Sequence, residues 1–211
     1  MYVPQHFAAP DDAAVQDLLR HHGAADLVTS TADGLRASLL PFVYDEPDDD
    51  HAQGRLLGHV ARPNDQWRLP ALGEAMVIVR GPDAYVSPAW YPSKADNGRV
   101  VPTWNYVTAH VYGPLVVHDD ADWVESLVRR LTAKHESGRE PGWSVDDAPP
   151  EYVAGQLRAI VGLEVAITRV EAKWKLSQNR PEGDRLGVVA ALDGEPGRAA
   201  HDVADAMRRL D

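Results

Sequence analysis

The sequence predicts a mainly β protein with peripheral helices, an α+β chain built on a small closed antiparallel barrel. Three observations carry this expectation. At least six short strand-like runs follow one another at hairpin spacing. Helical periodicity is confined to segments between and after those runs. Finally, residues 86–113 hold two strand-like runs dense in Trp, Tyr and Pro on either side of a polar loop. Aromatic walls beside cations and hydroxyls suit a planar, anionic cofactor; a β-rich core with a solvated loop is the plainer reading of the same residues.

Residues 11–23 open the chain's first helix. Asp11 and Asp12 cap it, Val15, Leu18 and Leu19 give it an apolar face, and Gly23 stops it. His21 and His22 fall in its last turn, where they suit the negative end of the dipole; adjacent helical residues diverge too far to share a metal. Residues 27–31 and 35–44 flank Asp33-Gly34, the strongest hairpin signal present. Residues 55–61 read as a third strand and 76–80 as a fourth, apolar on both faces and so central. Gly81-Pro82-Asp83 predicts a turn into a run at 84–91.

A long strand follows over 100–117, with a bulge or bend at Gly113-Pro114. Its alternation puts Val101, Thr103, Asn105, Val107, Ala109 and Val111 on one face, fit for a barrel interior. Trp104, Tyr106, Thr108, His110 and Tyr112 share the other, which must cover a partner subunit, a helix or a ring system. Asp119 and Asp120 start a helix with Trp123, Leu127 and Leu131 in register. After an acidic, Pro-rich loop at 138–150 come a helix at 151–161 and a last strand at 163–170. The tail holds KWKLSQNR at 173–180, a short helix near 184–192, a Gly-Glu-Pro-Gly break and a terminal helix. The organisation expected is a single domain over 1–211. Its barrel spans about 24–118 and 163–180, and its helices about 11–22, 119–137, 151–161 and 198–210.

Composition narrows the function. A chain of 211 residues with 44% hydrophobic content can build a sizeable core. No apolar run approaches the ~20 residues that cross a bilayer, and the N-terminus lacks a signal pattern. The chain has no cysteine, so disulfides and thiolate chemistry are excluded, and a cytoplasmic location is expected. A net charge of −11 disfavours direct binding to nucleic acid, whose affinity comes from Lys and Arg at phosphates. The acidic run at 45–50 reads as a solvated hairpin tip, since it lacks the spacing of a calcium loop.

His59, in GHVARPNDQW, sits near a strand end with Arg62, Asn64 and Trp67 just beyond. It is either a hydrogen-bonded structural imidazole or a metal ligand with a neighbour fixing its tautomer. His110 reads as packing. No nucleophile elbow, Walker loop or dinucleotide fingerprint occurs, so side chains must hold any phosphate. KLSQNR offers Lys175, Ser177, Gln178, Asn179 and Arg180 as donors, or is a plain polar loop.

The segments MYVPQHF, GHVARPNDQW, VSPAWYPSK, VPTWNYVTAHVYG and KLSQNRPEGDRLGV, in this order along nearly the whole chain, resemble the PaiB family. That family is described as FMN-binding negative transcriptional regulators with the split β-barrel of flavin reductases and pyridoxamine-phosphate oxidases, a fold usually found as homodimers. Asp65 stands where a Pro is expected, a small departure. The resemblance extends to piperazate synthases, which bind heme and close the N–N bond of N5-hydroxyornithine with loss of water. Carried over, it makes His59 the axial ligand of heme b, with Tyr91 and Lys94 beside it as catalytic groups. Ser93, Lys94 and Arg62 would hold propionates, or the phosphate of FMN. Trp104, Asn105 and Tyr91 would line the pocket, with Asn64, Trp67, Lys175, Gln178 and Arg180 as further cofactor contacts. The resemblance thus implies a small-molecule enzyme with heme, or alternatively an FMN-loaded regulator or oxidoreductase. A homodimer is implied in either case.

Overall fold

The computed structural model describes residues 1–210. Down the chain run α1 (Asp12–His21), β1 (Ala24–Thr31), β2 (Gly34–Pro41), β3 (Val43–Asp45), β4 (Arg55–Ala61) and β5 (Ala75–Val86). Then follow α2 (Lys94–Asn97), β6 (Thr103–Gly113), β7 (Leu115–His118), α3 (Ala121–Glu136) and α4 (Pro150–Arg158). The chain closes with β8 (Ile160–Ala166), β9 (Arg169–Lys175), α5 (Glu182–Gly194) and α6 (Arg198–Arg208). Among the described residues no helix is long and apolar enough to cross a membrane. The chain divides into two compact units, and α1, β5, β6 and β9 each contribute residues to both.

The hairpin unit comprises residues 19–79 and 110–170. Thr31 pairs with Gly34 across the Asp33-Gly34 turn, and Gly34 takes φ +100°, which a side chain would resist. β1 then pairs antiparallel with β5 through Asp26↔Ile78. A second sheet has the order β3-β4-β8-β7. Its core is aliphatic, with Leu56, Val161, Leu163 and Val165 fully shielded. Asp120 caps α3 by accepting from the Trp123 N–H, and Leu127 and Leu131 pack on Val43 and Leu57. A Cβ on Gly162 would lie 2.2 Å from the Trp123 ring, so the glycine makes room for that indole. Trp123 in turn stacks on His118 at 3.9 Å between centroids.

The terminal unit comprises residues 1–18, 80–109 and 171–210. Here the strand order is β5-β6-β9. Val107, Trp174 and Leu176 form a core with Val188 and Leu192 of α5 and Val203 and Met207 of α6.

Several boundaries differ from expectation. Gly81-Pro82-Asp83 is no turn: β5 runs straight through it. A Cβ at Gly81 would lie 2.8 Å from Val107 Cβ, so this glycine serves a close strand approach. The helix expected at 151–161 ends at Arg158, because β-branched Ile160 and Val161 begin β8. The last strand is two, β8 and β9, and Lys173 and Lys175 lie in the second. The interruption at Gly113-Pro114 divides β6 from β7, and β6 buries alternate residues from Asn105 to Gly113.

Candidate functional site

The residues singled out from sequence fall into two groups, one in each unit. In the hairpin unit, His59 lies on β4 opposite Gly162 of β8. Its ring lines a cleft of ≈ 240 Å³ floored by Val128, Val145, Val153, Leu157 and Ile160. Trp143 and Tyr152, 49% and 60% exposed, border the same cleft. Among the described residues no Lys, Arg, Asp or Glu lines it, and Gln156 adds an amide. The imidazole Nδ1 is buried without a hydrogen-bond partner, and burial lowers the pKa of the ring.

Its sequence neighbours are engaged in local structure. Arg62 makes a two-pronged pair with Asp119 at 2.5 and 3.1 Å and donates to the carbonyls of Arg158 and Ile160. Asn64 caps the short turn Asp65–Trp67 by accepting from the Gln66 N–H, and donates to Ser38. Trp67 donates its indole N–H to the Arg62 carbonyl, with the Arg68 guanidinium 4.7 Å over its ring. None of these three lines the cleft.

In the terminal unit, Gln178 and Arg180 lie in the loop before α5, Asn105 and Tyr91 meet that loop, and Ser93 meets α5 itself. Ser93 donates its backbone N–H and its hydroxyl to Asp184, a buried carboxylate. Arg180 lies 4.7 Å over the Tyr91 ring. The Tyr91 hydroxyl is buried near Ser177 and Arg180 without a hydrogen bond of normal geometry, and burial raises its pKa. Asn105 is fully buried and accepts from Ser177. That bond anchors Ser177 at φ +65°, a left-handed conformation uncommon outside glycine. Gln178 accepts from the Leu176 N–H and donates to the Trp174 carbonyl, so it braces its own turn. Lys94 is exposed on α2.

Trp104 is 47% exposed, donates its indole N–H to Asp83, and meets Tyr85 edge-on at 6.1 Å. Lys175 donates to Thr103 Oγ1 at 2.6 Å and to the Trp104 carbonyl at 2.5 Å. Burial lowers the Lys175 pKa, and the charges of Lys173 and Arg180 lower it further. Among the described residues no carboxylate forms an ion pair with any of these three cations. Their charges meet aromatic faces instead: Lys173 over Tyr106, Lys175 over Phe7, Arg180 over Tyr91. Lys173, which also donates to the Tyr2 carbonyl, and Arg180 thus both lie within electrostatic reach of Lys175 in a chain of net charge −11. Lys173, Asp184 and Tyr85 were not singled out from sequence. Period-two alternation from Lys173 to Lys175 was the one available signal for the first; the other two meet these residues only through the fold.

Residues 1–169 match the family described as "Putative FMN-binding domain". The protein named "Protease synthase and sporulation protein PAI 2" from Bacillus subtilis is 30% identical over 208 residues, 98% of this chain and 96% of that protein. Among solved structures, the flavocytochrome Anf3 from Azotobacter vinelandii aligns with a TM-score of 0.61 at 14% identity, over 82% of this chain and 72% of that one. The FAD and heme binding protein from Mycobacterium smegmatis aligns with a TM-score of 0.55 at 17% identity, over 93% and 78%.

Proposed function

From the premise that the chain belongs to the PaiB family of FMN-binding split-barrel proteins, we propose that it is a flavin-binding protein holding FMN in the terminal unit. The observation that carries this reading is the cation cluster of Lys173, Lys175 and Arg180, in which Lys175 donates to the backbone carbonyl of the exposed Trp104. Those residues fit the group. Lys175 and Arg180 would neutralise the phosphate, whose charge would also relieve the repulsion among the cations. Trp104 and Tyr85 offer an aromatic wall for the ring system, with Asp83 fixing the indole plane. Asn105 and Ser177 hold the turn that carries Arg180, so these residues position a cation before any ligand arrives. When bound, the flavin would supply hydride or electron transfer to a small-molecule substrate. In this reading the phosphate is not assigned to Ser93 or Arg62, which bond to Asp184 and Asp119.

Regulation, in this reading, runs through the flavin or a protein partner in the cytoplasm and not through direct contact with DNA, because the net charge opposes it. A homodimer is part of the proposal. Leu35, Ala37 and Leu39 share one face of β2, with Leu35 and Leu39 72% and 66% exposed. A second copy covering that face would bury them.

Heme b ligated by His59, and with it closure of the N–N bond of N5-hydroxyornithine, is a second reading. The unpartnered Nδ1 favours it. The cleft does not: at ≈ 240 Å³ it falls below the ~300–1,000 Å³ of ordinary ligand pockets, and no cation on its walls would meet a propionate.

The test is ligand titration. FMN should bind the purified chain with flavin bands near ~450 nm. Replacing both Lys175 and Arg180 by Gln should weaken FMN by at least about tenfold while riboflavin, which lacks the phosphate, changes little. Equal loss for both ligands would remove the proposed phosphate seat.

A further inference from the structure

The His59 cleft has a size, a charge and a polarity of its own, and together they describe an occupant. Its ≈ 240 Å³ is larger than the ~150 Å³ engineered cavity that accepts benzene, so one or two fused rings fit. The absence of charged side chains on its walls selects against ions, since an unpaired charge there would lose its hydration. Its aliphatic floor and the Trp143 and Tyr152 rings at its margin favour a flat hydrocarbon body. His59 and Gln156 put an imidazole and an amide on its walls, so a polar group on that body has hydrogen-bonding partners there.

We propose that this cleft is a binding site for a small neutral phenol-type compound of one or two fused rings, whose hydroxyl pairs with the His59 imidazole. A hydroxyl both donates and accepts, so it serves either tautomer of the ring. Burial holds the imidazole neutral near neutral pH, in keeping with an uncharged partner. The site lies wholly within the hairpin unit, and the proposal stands apart from the flavin reading, whose residues lie in the other unit.

The probe is 2-naphthol, with 2-fluoronaphthalene as a near-isostere lacking the hydroxyl, titrated calorimetrically into the purified chain at pH 7.5. The expected result is saturable binding of one 2-naphthol per chain, about fivefold or more tighter than the fluoro compound. His59→Phe should erase that preference while leaving the hydrocarbon bound, and Ala148→Trp, which fills the cleft, should abolish binding of both. Absence of saturable heat up to the solubility limit would overturn the proposal, as would a preference that survives His59→Phe. Should Ala148→Trp fail to fold, His59→Phe and the ligand pair decide alone. A Soret band on adding hemin that His59→Phe removes would assign the cleft to a porphyrin and likewise overturn it.

Discussion

His22, the residue after α1, is a buried imidazole whose Nδ1 lies 2.5 Å from the Leu19 carbonyl. Burial and the nearby Lys134 charge lower its pKa to about 4. Since this lies below the unfolded value near ~6.5, the unfolded chain takes up the proton first. Its contribution is therefore complete above pH ~6.5 and lost as pH falls toward 4, by at most ~3 kcal/mol. Urea unfolding should show that loss between pH 7 and pH 4.5, and His22→Leu should flatten it; an unchanged slope would assign the acid sensitivity to other groups. Gln66 is the matching neutral case. Its buried amide donates to the Leu27 carbonyl and Thr29 and accepts from Ser38, tying the turn after β4 to the β1–β2 hairpin. Gln66→Ala should cost roughly 2–3 kcal/mol in the same assay, by leaving buried partners unsatisfied.

At the scale of elements, Gly81 and Gly162 are among the glycines that carry close approaches. Gly81→Ala would drive a methyl into Val107, and Gly162→Ala would drive one into Trp123. Each should destabilise by about 1–3 kcal/mol, and the second should also disturb the His118–Trp123 stack, visible in near-ultraviolet circular dichroism. Loss of stability without a changed aromatic signal would mean that the backbone gives way instead. Neither role is legible in sequence, because each depends on a residue from another element. The Gly-Pro-Asp signal reads as a turn by local chemistry, and strand pairing overrides it. By contrast, the Asp33-Gly34 hairpin, the α3 register and the burial alternation of β6 were legible, since each rests on local pattern alone. The site was legible in part. Residue type identified Lys175, Arg180 and His59 as candidates, whereas the engagement of Arg62 with Asp119 and of Ser93 with Asp184 arises from segments 57 and 91 residues away.

For the whole molecule, the acidic balance and the clustered cations make opposite demands on partners. A net charge of −11 repels nucleic acid as a surface, while the three local cations of the proposed phosphate seat would attract a small anion. A titration with duplex DNA at low salt should accordingly show no salt-dependent binding; a steep dependence would contradict the assignment of regulation to flavin or protein partners. The exposed leucines of β2 belong to the same scale. Sedimentation should give a dimer that Leu39→Lys converts to monomer, and a native monomer would remove the homodimer from the account.

The central claim, a flavin whose phosphate is seated by Lys175 and Arg180, is tested most directly by measuring FMN and riboflavin affinity side by side. The native chain should prefer FMN by about tenfold or more, and the double Gln variant should lose that preference. Equal affinity of the native chain for the two ligands, or failure to bind either, would contradict it.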